Sequence, residues 1–124
     1  MKRNPIKTAR NKADKLFQQV CLLLNPYSMV SGKPAEVTHH FIPKSLSNAL
    51  RYDIENGITL TNGEHLQHHS QGDPEIYERM TANKPAEWFS YIRSKRREII
   101  RPTLTWYKEN IKRLQDIYEN LSKL

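Results

Sequence analysis

The chain has 124 residues, a formal net charge of +7 and 37% hydrophobic against 27% charged residues. That length predicts a single domain with one modest core, and no apolar run approaches the roughly 18 residues that a membrane-spanning helix requires. A lone cysteine, Cys21, excludes an intrachain disulfide and a thiolate zinc knuckle, so any metal would be held by His, Asp or Glu.

The basic start Met1-Lys2-Arg3 is followed by Lys7, Arg10, Lys12 and Lys15, where a signal peptide would need an apolar stretch; this predicts a soluble intracellular protein. Thr8 to Leu24 reads as a helix, with Ala13, Phe17, Val20 and Leu24 on one face, ending at Asn25-Pro26. Pro26 to Pro34 contains Ser28, Ser31 and Gly32 and reads as a loop. Glu36 to Ile42 and Gly57 to Leu60 read as two short strands joined by a polar connection, a wide hairpin. Thr61 and Glu64 form a Thr-x-x-Glu capping box, which predicts a helix over 62–70 that stops near Gly72.

Asp73-Pro74 and Lys84-Pro85 each set a proline where a first helical turn accepts one, and Pro102 either starts a third helix or kinks a longer one. Leu104, Tyr107, Ile111, Leu114, Tyr118 and Leu121 recur at spacings of three and four. This seam is expected to pack on the first helix or on Trp88, Phe89 and Ile92, with a homodimer through the C-terminal helix as the alternative. The predicted fold class is α+β, mostly α. A ββα core over about 36–70 is flanked by an N-terminal helix and a helical extension over about 74–124, all in one domain spanning 1–124.

The positive balance favours an acidic partner such as nucleic acid. Its distribution sharpens that reading. Residues 1–37 hold seven Lys or Arg against Asp14 and Glu36, whereas residues 38–70 hold Lys44 and Arg51 against Asp53, Glu55 and Glu64. All five histidines lie in that middle segment. His65 and His69 stand four apart on a predicted helix, so both rings leave one face and can share a metal, although such a pair is more often just exposed. His39 and His40 are adjacent on a strand, so they aim to opposite sides and can take different tasks.

The ordered blocks Thr38-His39-His40-Phe41-Ile42-Pro43, Leu50-Arg51-Tyr52-Asp53 and Asn56-Gly57-Ile58-Thr59-Leu60, followed by His65 and His69, resemble the HNH (ββα-metal) endonuclease signature. The likeness covers about residues 28–70 and extends to small phage-encoded members, whose site of action would be the bacterial cytoplasm. It implies a metal-dependent endonuclease that hydrolyses DNA phosphodiester bonds. In that reading His39 and His65 are metal ligands, His69 the third ligand, His40 the general base, and Asn56 the residue that orients the base. The implied cofactor is one divalent cation, Mg²⁺, Mn²⁺, Ni²⁺ or Zn²⁺, and imidazole donors suit the last three better than Mg²⁺. His68 has no place in the pattern and is assigned to the solvated helix face. A neutral imidazole can take a proton from water at physiological pH, provided its other nitrogen is held by Asn56 or a backbone carbonyl nearby.

Arg51 is the leading phosphate contact, since a guanidinium grips a phosphate through two hydrogen bonds; a salt bridge to Asp53 or Glu55 is the competing use. Lys44 is a weaker DNA-binding candidate, and Arg93, Lys95, Arg96 and Arg97 are either a solvated helix face or a source of nonspecific duplex affinity. Many members of the family brace this fold with a structural zinc on two Cys-x-x-Cys knuckles. Here Ser28, Ser31, Thr61 and Glu64 occupy those places, so no structural zinc is expected. Two other classes compete with the nuclease: an inactive DNA-binding or assembly module of a phage recombination or packaging complex, and a basic helical protein that stores or senses metal.

Overall fold

The computed structural model describes residues 4–123, so the basic start Met1-Lys2-Arg3 lies outside the described residues. Helix α1 (Pro5–Leu24) begins earlier than its apolar periodicity suggests, because Asn4 accepts hydrogen bonds from the Ile6 and Lys7 amides and Pro5 occupies the first turn. Proline loses nothing there, its missing N–H being one of the unpaired amides of any helix start. Ala13, Phe17 and Val20 of the predicted stripe are buried with Ala9 against Tyr107 and Leu114 of α6 (Leu104–Ser122), whereas Leu24, the last residue of α1, is exposed. The C-terminal seam therefore packs on the first helix, with Tyr118 left exposed. Thr103 caps α6 through the Trp106 amide, so Pro102 precedes the helix rather than kinking it.

Strands β1 (Val37–His40) and β2 (Gly57–Leu60) form a two-stranded antiparallel sheet, with Val37 opposite Leu60 and His40 opposite Gly57. Every residue of β2 is buried. Gly57 allows α1 to come this close, since a Cβ there would stand 2.6 Å from Cys21 Sγ. Between the strands the chain is not a plain polar connection. It makes a short helix α2 (Asn48–Arg51), capped by Ser47, and a 3-10 turn over Ile54–Asn56. Elements this brief leave no helical period to detect.

Helix α3 (Asn62–Gln71) starts on the predicted capping box and ends at Gly72, which is left-handed at φ 60°. Helices α4 (Pro74–Thr81) and α5 (Ala86–Arg96) follow their prolines as expected. They bury Ile76, Met80, Trp88 and Ile92 against Leu50, Ile58 and Leu60. The apolar side chains thus gather in two clusters rather than one, and the fold is α+β and mostly α. Among the described residues no helix is long and apolar enough to cross a membrane.

Candidate functional site

Successive side chains of a strand leave by opposite faces, and β1 uses this to separate its two histidines. Thr38 and His40 face α1. The Thr38 N–H is taken by Gln18 Oε1 at 3.2 Å, and the His40 ring stacks on Phe17 at 4.8 Å. His39 faces α3, where its ring centroid stands 5.3 Å from that of His65 and 4.9 Å from that of His69. One donor atom from each of His39, His65 and His69 lies within 4.8 Å of the others, close enough for the three to hold one metal ion. The nearest pair, His39 Nδ1 and His69 Nε2, is 3.2 Å apart.

The donor set suits a cation. Burial, reinforced by His69, His68 and His65, pushes the His39 imidazole down to about 3, so at neutral pH the ring is uncharged and one of its two nitrogens keeps a lone pair for a metal. Burial, with His69 and His68, also lowers His65. His68 is not on the solvated face assigned to it. Its ring packs edge-on against His39 at 5.0 Å and its Nδ1 is buried with no hydrogen-bond partner, because α3 lies so close to β1 that His65, His68 and His69 all meet the His39 ring.

His40 is held differently. Its Nε2 is 2.9 Å from the Arg51 carbonyl oxygen. A carbonyl can only accept, so Nε2 carries the proton and Nδ1 keeps the lone pair. Burial pushes this imidazole down to about 4, although the Arg51 carbonyl pulls it upward, and Lys44 adds to the lowering. His39, His40, His65 and His69 nevertheless line one cavity of about 220 Å³, together with Gln18 and the exposed Lys44. Residues from opposite faces of β1 thus reach one cavity.

The His40 ring is thus held by a backbone carbonyl, and Asn56 has another task. Asn56 is fully buried. Its Oδ1 accepts from the Ile42 amide at 2.8 Å, while Nδ2 donates to the carbonyls of Ile42 at 3.0 Å and Leu50 at 3.2 Å. It ties the end of β1 to α2, one residue before the carbonyl that holds His40.

The Arg51 side chain engages neither Asp53 nor Glu55, and it is not directed to an open phosphate position. It grips Asp14 of α1 in two hydrogen bonds, Nε to Oδ1 at 3.1 Å and Nη2 to Oδ2 at 2.8 Å, and Tyr52 donates to the same carboxylate at 2.7 Å. Burial would raise Asp14, but the hydrogen bonds from Arg51 and Tyr52 outweigh it and hold the carboxyl below its ordinary value. This clamp sets α2, and with it the Arg51 carbonyl, against the helix that carries Phe17. Asp14, Phe17 and Gln18 escape a sequence reading of the site because they belong to α1, whose periodicity marks Phe17 as core and the others as surface.

The four positions read as former zinc-knuckle places converge in part through hydrogen bonds. Ser28 Oγ donates to Glu64 Oε1 at 2.5 Å and accepts from the Ser31 amide, while the same Glu64 oxygen accepts from the Thr61 amide. Burial would raise Glu64, but its bonds from Ser28, Ser31 and Thr61 keep it low. A larger cavity, about 350 Å³, lies between α2, α5 and α6 against Tyr52, Tyr91, Trp106 and Arg113. It holds no histidine. No protein-family model, curated protein or solved structure matches this chain.

Proposed function

We propose that the protein is a metal-dependent endonuclease that hydrolyses DNA phosphodiester bonds, with His40 as general base beside a divalent cation on His39, His65 and His69. The observation that carries this reading is the pairing of two differently prepared histidine sets in one cavity. Three imidazoles converge as donors, and a fourth is tied by Nε2 to the Arg51 carbonyl with Nδ1 left as its only basic atom. A bound cation would supply charge neutralisation at the phosphate, and three imidazoles favour Zn²⁺, Ni²⁺ or Mn²⁺ over Mg²⁺. Nδ1 of His40 takes a proton from water as the water oxygen bonds to phosphorus and the bond from phosphorus to the 3′ oxygen breaks; solvent reprotonates the leaving oxygen. Products then carry 5′-phosphate and 3′-hydroxyl ends. The Nε2–H bond to Arg51 persists throughout and stabilises the imidazolium. Lys44, exposed at the cavity, is placed to meet a phosphate oxygen.

The test is nicking of supercoiled plasmid with Mn²⁺, Ni²⁺, Zn²⁺ or Mg²⁺, comparing wild type with His40→Ala, His39→Ala and His65→Ala. Loss of a general base costs about 10²–10⁴-fold in rate. His40→Ala should show that loss with metal affinity retained in calorimetry, whereas the other two should lose affinity and recover partly in excess ion. Nicking by His40→Ala at the wild-type rate, or no nicking with any of the ions, would overturn the proposal.

A further inference from the structure

The seven residues between α5 and α6 carry a feature that neither core uses. Ile99 is 98% exposed, the most exposed of the large hydrophobic side chains in the described chain. Its neighbour Ile100 is partly buried, and the Ile100 carbonyl accepts from Asn48 Nδ2 of α2 at 3.2 Å. The loop is therefore anchored at its base while its apolar tip stands in solvent. Arg97 and Arg101 flank Ile99 two residues away on either side, both are exposed, and among the described residues neither forms an ion pair with a carboxylate. The one acid in the loop, Glu98, is already held by Lys95 at 2.9 Å.

A basic end to α5 has a simple structural use, since cations in the last turn of a helix complement its dipole. That accounts for Arg93, Lys95 and Arg96. It does not reach Arg101, and it gives no reason for an unsheltered isoleucine between two free guanidinium groups. An aliphatic side chain flanked by arginines has the composition of a minor-groove wedge, in which the cations follow the phosphates and the apolar group enters between base steps. We infer that the Arg97–Ile99–Arg101 loop is a duplex-DNA contact in which Ile99 inserts at a base step and the two arginines hold the flanking phosphates. The inference rests on the nuclease reading for its choice of partner, but concerns binding rather than hydrolysis. The tie from Ile100 to Asn48 places this contact on α2, the element whose Arg51 carbonyl holds His40.

The experiment uses the full chain carrying His40→Ala, without divalent ions, and a 30-base-pair duplex with 2-aminopurine at successive positions, so that unstacking is read as a rise in fluorescence. The parent should raise the signal at one step. Ile99→Ala should abolish the rise and bind about tenfold to a hundredfold more weakly, the range for losing a fully buried aliphatic side chain; Ile99→Leu should retain both. Arg97→Ala with Arg101→Ala should reduce the slope of log affinity against log salt by about two phosphate contacts. All these positions are at the surface, and thermal melting would verify that the variants remain folded. Unchanged affinity and fluorescence in Ile99→Ala would overturn the inference, as would loss of binding to anionic lipid vesicles with DNA binding intact. Plasmid nicking by the protein with both His40 and Ile99 intact separates the two readings: nicking with no fluorescence rise from the His40→Ala parent sinks the wedge alone, and a rise from that parent without nicking by any protein sinks the hydrolysis.

Discussion

Asn56→Ala removes three hydrogen bonds from a site with no solvent access, the ones to the Ile42 amide, the Ile42 carbonyl and the Leu50 carbonyl. A typical intramolecular hydrogen bond contributes about 1 kcal/mol net, and a buried group left without its partner costs about 1–3 kcal/mol. The loss should therefore be about 3 kcal/mol or more, which for a domain of this size lowers Tm by about 10–15 °C. Asn56→Asp should be worse at neutral pH than at pH 3, because a carboxylate would face two carbonyl oxygens in place of the amide donor, and only its protonated form can donate to one of them. Calorimetric melting measures the stability, and plasmid nicking at a temperature where the variant is fully folded measures function. Activity should fall there too, since the segment that offers the Arg51 carbonyl to His40 is no longer tied to β1. A Tm within 2 or so degrees of wild type, roughly 0.5 kcal/mol on the same scale, would refute the assignment of Asn56 as the tie. A large drop in Tm with undiminished activity in the folded protein would refute its link to His40.

Two further outcomes follow from polar contacts that bridge distant parts of the chain. Replacing Ser28, Ser31, Thr61 and Glu64 together with cysteine should create a thiolate zinc site, because Ser28 and Glu64 already meet and both others bond into the same cluster; one added zinc and a higher Tm are expected, and a folded variant without added zinc would show that the four side chains do not converge. Asp14 has a folded-state pKa below its ordinary 3.8, so it contributes stability above that value that is lost as pH falls through 3.8 toward the lower folded-state value. Acid unfolding of Asp14→Asn should accordingly show a shallower pH dependence below about pH 4, and an unchanged slope would exclude the Arg51 clamp as its source.

The elements that could be read from residues alone are those whose signals are local. The α1 stripe, the Thr61–Glu64 capping box, the prolines that open α4 and α5, and the strand over Gly57–Leu60 each depend on neighbours a few residues away, and each is present. The spacing of His65 and His69 likewise foretold one helix face. The tertiary structure alone decided which groups meet that face and how the remaining ones are employed. Arg51 found Asp14, 37 residues away, rather than its near neighbours Asp53 and Glu55, because the fold brings Asp14 of α1 to the end of a short helix that no periodicity announced. His68 turned inward because α3 docks closely on β1. The partner of His40 is a peptide carbonyl. Every residue has one, so no side-chain pattern could single it out, and only the tertiary fold, with Arg51 clamped to Asp14 of α1, selects the carbonyl of Arg51.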